Sequence, residues 1–382
     1  MYIHIPFCER KCRYCDFWSA PASFEQREEY VEQLIASIRR EADGYKDRQV
    51  ISIFFGGGTP SILEDGQLER ILDTIYQSFQ VLETAEITIE VNPGTVDKKK
   101  WKAYHKMGIN RISIGAQSAN DDELRLLGRI HTYEMFEKAY KEARQTGFDN
   151  INIDIISSLP GQTRESYAKT LHTFAQLEPE HISAYSLIIE EGTPFHKMFL
   201  DEKGNEKIWK EGGQEYQLLS EEADRDIYHL TGEILSNYGY DRYEISNYAK
   251  KGYECRHNVV YWRRGEYLGF GANAASLIDS VRYLNETTAP FAKQVEEVLS
   301  KKDQMSETMI LGLRMIEGVS VQDFQEKYGI DPQKIYGDVI CKFEKQGLLE
   351  RRKPYGNTMD ERIALTERGL DVANYIMADF MQ

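Results

Sequence analysis

The chain has 382 residues, of which 41% are hydrophobic and 12% aromatic, sufficient for one large core and one or two smaller parts. Its formal charge of −15 opposes nucleic acid and anionic lipid surfaces wherever no local basic patch offsets it. No stretch approaches the roughly 18 apolar residues of a membrane span, and no secretory leader precedes the first motif, so the expected compartment is a reducing cytoplasm.

Six short runs rich in Ile, Val, Phe or Tyr predict strands: Tyr2–Ile5, Ile51–Phe55, Glu86–Val91, Arg111–Ala116, Asn150–Ile156 and His181–Leu187. Amphipathic segments separate them. The clearest covers Phe24–Ala42, with Tyr30, Leu34, Ile38 and Ala42 spaced four apart and Ser23 with Gln26 as a capping box. Six β–α repeats predict a parallel sheet with right-handed crossovers. The count is two units short of a full (β/α)8 barrel. The expected fold is therefore α/β, an open partial (β/α)6 barrel over residues 1–190, with ligands at the C-terminal strand ends.

Residues 191–305 read as a helical and strand extension. Beyond them the pattern predicts helices Met309–Ile316, Val321–Tyr328 and Ile335–Gln346, with Gly347 ending the last of these. Short strands Leu348–Arg352 and Arg362–Leu365 follow, then a helix starting at Thr366. This is a mostly helical, winged-helix-like C-terminal domain over 306–382. Its ten Lys and Arg face thirteen Asp and Glu, which disfavours a DNA reader. A lid or a protein-docking surface is the better expectation.

Three of the five cysteines, Cys8, Cys12 and Cys15, follow the first strand. An odd number in a large chain argues against a disulfide framework. Zinc is the structural alternative, but it usually takes four N/S ligands from paired knuckles, and here only His4 is a candidate fourth. Three thiolates can instead hold three irons of a [4Fe–4S] cube and leave the fourth open. Cys255 and Cys341 stand apart and read as ordinary packing residues. At the other strand ends lie a glycine turn, Gly56-Gly57-Gly58-Thr59-Pro60, and the polar residues Glu90, Gln117 and Asp154. The turn lets a ligand approach the backbone and leaves N–H donors for it. Carboxylates there suit ribose hydroxyls or an ammonium group. Thr163 reads only as a helix cap.

The CxxxCxxC run followed by Phe17 resembles the radical S-adenosylmethionine (SAM) superfamily. That resemblance implies SAM on the open iron, and an electron donor whose electron lets the cluster split SAM to a 5′-deoxyadenosyl radical. Over almost the whole chain, Tyr2-x-His4-Ile5-Pro6-Phe7-Cys8, Gly56–Pro60, Glu90-Val91-Asn92-Pro93, Gly115-Ala116-Gln117-Ser118, Leu127-Gly128-Arg129-Ile130-His131 and Leu159–Thr163 together resemble the oxygen-independent coproporphyrinogen III oxidase group. Its oxidase branch is expected to carry a fourth Cys where this chain has Phe17, and a longer segment before the cluster. His257-Asn258-x-x-Tyr261-Trp262 and Tyr243-Glu244-Ile245-Ser246-Asn247-Tyr248-Ala249 are instead similar to the haem chaperone branch, HemW. This implies a protein that binds haem and passes it to an acceptor protein.

Carried over by position, the resemblance implies SAM contacts at Tyr2, Gly57, Gly58, Thr59, Glu90, Gln117, Arg129 and Asp154. It implies Ile188 and Ala275 on the adenosine or porphyrin side and His257 as a haem contact. Ala275 stands where relatives often have His, so no ligand role transfers to it. No catalytic residue is assigned. Radical decarboxylation of coproporphyrinogen III, or radical methyl transfer, are the alternative functions.

Overall fold

The computed structural model describes residues 1–353 and 360–381. Six strands, β1 (Tyr2–Ile5), β2 (Gln49–Gly57), β3 (Gln80–Val91), β4 (Arg111–Gln117), β5 (Ile151–Ser157) and β6 (His181–Ser186), lie parallel and in chain order. Each alternates between two faces, as strand geometry requires. Ile3, Ile53, Ile89, Ile112, Ile153 and Ile182 are buried in the core that the surrounding helices share. Tyr2, Phe54, Glu90, Arg111, Asn152 and Ser183, each one residue away, line a cavity inside the curved sheet.

The partial barrel is completed from the middle of the chain. Gly269–Phe270 pairs parallel with β1, while Asn247–Ala249 and then Asp241–Arg242 extend the β6 edge antiparallel. Ile227, Leu230, Ile234, Tyr248 and Phe270 belong to the barrel core, so much of 191–305 finishes this core.

The helix Phe24–Glu41 begins at Ser23 with the reciprocal capping box to Gln26. β3 starts six residues earlier than its apolar pattern implies, because Gln80 and Val81 pair with Gln49 and Val50 although Gln80, Glu83 and Thr84 have little strand character. The run after Cys255 is a helix, Arg256–Trp262.

A second core contains Met309, Phe324, Tyr336, Ile340, Phe343, Ile363 and Phe380. It joins helices Lys301–Gly312, Val321–Tyr328 and Pro332–Lys345 to a winged-helix-like sheet of Val319–Ser320, Arg362–Leu365 and Leu349–Arg352. Where the two cores meet, the Arg314 guanidinium lies over Trp262 at 4.3 Å and faces the buried Glu244 at 3.8 Å. No helix among the described residues is long and apolar enough to cross a membrane.

Candidate functional site

The cysteine loop leaves β1 at the open mouth of the barrel and is framed on several sides. Arg13 N–H donates to Leu127 O at 3.0 Å, Phe195 N–H donates to Arg13 O at 2.9 Å, and Cys8 N–H donates to Ala20 O at 3.2 Å. The Arg13 guanidinium holds Glu211 bidentately at 2.6 and 2.9 Å. Behind the loop sits a small apolar cluster of Leu126, Leu127, Ile156, Leu159, Phe195 and Phe199.

Cys8, Cys12 and Cys15 are free and half-buried. Thr59 Oγ1 donates to Cys8 Sγ at 3.5 Å, and Arg129 Nη1 donates to Cys12 Sγ at 3.7 Å. Burial pushes the Cys15 thiol up to about 11, a cost that a coordinating metal reverses by deprotonating it. Three half-buried thiols, two of them with donors aimed at the sulfur, fit a cube, which takes one thiolate per iron.

The glycine turn works differently from its sequence reading. Its N–H groups are not left open. Gly57 N–H donates to Glu90 Oε2 at 3.1 Å, Gly58 N–H to Ile5 O at 2.8 Å and Thr59 N–H to Phe7 O at 2.7 Å. The turn thus clamps β2 onto the strand that feeds the cysteines. Glycine is required by this closeness: a Cβ on Gly57, at φ +111°, would sit 2.5 Å from the His4 ring, and one on Gly58 would sit 2.6 Å from Phe7 O.

Below the mouth lies a cavity of about 270 Å3 lined by Tyr2, His4, Phe17, Glu90, Asp154 and Tyr185, among others. Burial, then the neighbouring Asp154, pushes the Glu90 carboxyl up to about 8. Burial also raises Asp154, although Ser113 Oγ at 3.0 Å and Asn152 Nδ2 at 2.8 Å donate to it. The buried Arg111 guanidinium adds a cation to the same cavity. A buried carboxylate pair of this kind suits a cationic or hydroxyl-rich ligand.

Of the residues expected to contact SAM, Tyr2, Gly57, Glu90 and Asp154 line this cavity together. Arg129 lies against the Cys12 thiol, and Gln117 lies beside it at Gly115. Arg129 Nη2 donates to Gly115 O at 2.7 Å, and a Cβ on Gly115 would meet the Gln117 amide at 3.0 Å. Ile188 follows β6 and is 68% exposed, while Ala275 starts the strand Ala275–Ile278; the cavity lining includes neither.

His257 is inside the protein, at 3% exposure, on the cavity floor. Its Nδ1 pairs with Ser52 Oγ at 3.0 Å and its Nε2 with Tyr261 OH at 3.2 Å, and it stacks on Phe54 at 4.9 Å. Burial holds it well below the usual histidine range, so it is neutral. With both ring nitrogens engaged it offers no free lone pair to iron. The floor helix is held at its start by Glu86, which accepts from Arg256 N–H at 3.0 Å and His257 N–H at 3.1 Å. These are charge-assisted bonds at an orphaned helix N-terminus. Glu86→Ala is expected to lower stability by about 3 kcal/mol in chemical denaturation; a loss below roughly 1 kcal/mol would show that the floor does not depend on it.

Sequence reasoning does not single out Arg111, Ser113, Asn152, Ser183 and Tyr185, which also line the cavity. Their signal was available: polar residues at every second position of Ile-rich strands mark a polar interior.

The family described as Radical SAM superfamily matches residues 2–174, and that described as HemN C-terminal domain matches 299–372. A solved structure, coproporphyrinogen III oxidase (HemN) from Escherichia coli, superposes with a TM-score of 0.83 at 23% identity, over 100% of this chain and 89% of that one. The chain therefore has the radical SAM fold with the additional C-terminal domain. The Heme chaperone HemW of Lactococcus lactis is 35% identical over 100% of this chain and 96% of its own length. Its Bacillus subtilis counterpart is 31% identical over 100% and 98%. This chain belongs to the HemW family.

Proposed function

We propose that this chain is a haem chaperone: it binds haem, passes it to an acceptor protein, and keeps a [4Fe–4S] cluster with SAM on the open iron. The observation that carries the reading is the filled barrel floor. His257 and Tyr261, both from the segment similar to chaperone relatives, close the interior and leave about 270 Å3. That is near the lower end of small-molecule pockets. It supports a site built around one cofactor of the size of SAM. Haem on this reading is held outside the barrel, and His257 serves the floor.

Cys8, Cys12 and Cys15 would each hold one iron, and the bound cluster would supply a redox centre and an anchor for SAM. Glu90 and Asp154 would receive the ammonium or ribose hydroxyls of SAM, Tyr2 and the glycine turn would shape its pocket, and Arg129 would sit beside a thiolate and the SAM carboxylate. Residues 306–382, acidic on balance, would face a protein rather than DNA. A reducing compartment such as the cytoplasm suits the cluster.

Anaerobic titration of the reconstituted protein with haemin should give a saturable Soret shift. The same preparation with coproporphyrinogen III, SAM and a reductant should release no CO2. An unchanged Soret band would sink the chaperone reading, and CO2 with protoporphyrinogen would replace it with the oxidase.

A further inference from the structure

The cysteine loop has two faces. Its inner side closes onto the barrel cavity through Tyr2, His4 and Phe17. On its outer side a wider cavity of about 640 Å3 opens to solvent, lined by the cations Arg10, Lys11, Arg13, Arg125 and Arg129 against only Asp122 and Glu211. Both acids are already matched, Glu211 by Arg13 at 2.6 Å and Asp122 by Arg125. Arg10 directs its guanidinium to carbonyl oxygens, Gly128 O at 2.9 Å and Arg129 O at 3.2 Å, and no carboxylate among the described residues pairs with it. Lys11 is exposed. In a chain of formal charge −15 this is a concentrated positive face.

Its position gives it meaning. Arg129 is part of the wall of this cavity, and its Nη1 lies 3.7 Å from Cys12 Sγ. A single side chain therefore separates the outer surface from a sulfur that would ligate the cluster. Positive charge around such an opening attracts and orients an acidic partner by long-range steering.

We propose that this basic face is the docking site of an acidic one-electron carrier protein, which reduces the cluster through the Cys12 side of the loop. The transfer moves one electron from the reduced flavin of the carrier to the oxidised cube, and no bond forms or breaks. The inference rests on the cluster assignment and not on haem transfer, so the two fail separately.

The test uses the full chain with its reconstituted cluster and fully reduced flavodoxin, an acidic flavoprotein, as the donor in anaerobic stopped-flow. Cluster reduction should slow markedly as salt rises, because the Debye length shrinks to a few ångströms. The double variant Lys11→Glu, Arg125→Glu should react on the order of tenfold more slowly at low salt and lose most of the salt dependence. Asp122→Asn should react faster than wild type. Dithionite, a small reductant, should reduce all three equally, and their iron content should match, which separates docking from misfolding. Equal flavodoxin rates in wild type and double variant, or no reduction of the wild-type cluster, overturn the proposal. Loss of haemin affinity in the double variant with flavodoxin rates unchanged would also overturn it, and would give the face to haem propionates instead.

Discussion

Replacing Cys8, Cys12 or Cys15 with Ala should remove the broad brown absorbance of the reconstituted protein and leave its secondary structure intact. Each thiolate has one iron to hold, so losing one leaves a cube with two protein ligands and two open irons. His4, the nearest histidine, cannot substitute: it is buried with its ring nitrogens paired to Tyr2 OH at 3.0 Å and Trp18 O at 3.2 Å. The fold should tolerate the change. The cysteines are half-buried, and the loop is tied down by Arg13, Ala20 and the Thr59 backbone rather than by sulfur packing. Iron analysis, visible absorbance and circular dichroism measured on the same samples decide this. A variant that reconstitutes to wild-type iron content would refute the cluster, and a colourless wild type carrying tightly bound zinc would return the loop to a knuckle.

The Glu90→Gln change should have two large effects of opposite sign. Glu90 keeps its proton in the folded protein up to about 8, whereas its ordinary value is 4.5. Between those values the folded state binds a proton that the unfolded chain has released. The contribution to stability is thus fully present below about 4.5 and is lost as pH rises through about 8. Asp154 is raised as well and acts in the same direction. Water reaching the carboxylate through the cavity reduces the effect, leaving on the order of 2 kcal/mol between pH 5 and 9. Gln removes that slope, so thermal unfolding at pH 9 should favour the variant while the two proteins converge near pH 5. Binding should go the other way. Losing a buried carboxyl that the SAM ammonium would draw into its charged form, or that would bond the ribose, should weaken SAM by roughly 10- to 100-fold. Calorimetric titration of SAM into the reconstituted variant checks this. Parallel melting curves at all pH values, or wild-type SAM affinity, would each contradict the placement of Glu90.

The six barrel strands were legible because each combines β-branched and aromatic residues with a turn signal at its end. The place of Glu90 and Asp154 was legible because they are carboxylates towards the ends of successive strand runs, and both line the cavity. The glycine turn was half legible. Its sequence announces closeness, but only the register of β1 with β2 reveals that the near neighbour is the cysteine strand and not an open ligand face. The buried setting of His257 was not legible for a comparable reason. Nothing local in His257-Asn258-Val259-Val260 tells that Glu86, 171 positions earlier, caps this run into a helix and turns the imidazole inward. Long-range partners of that sort are invisible to periodicity.

The pairing of Gly269 and Phe270 with Tyr2 and Ile3 bears on biogenesis. The cysteines are synthesised well before their frame: the strand beside them and the floor beneath them follow some 250 residues later. Contacts at that separation form late and slowly. A nascent chain would hold three reactive thiols without their frame, open to oxidation or to the wrong metal. Cluster loading should therefore follow completion of the chain, and maturation in the cell should be limited by cluster supply and thiol protection rather than by translation.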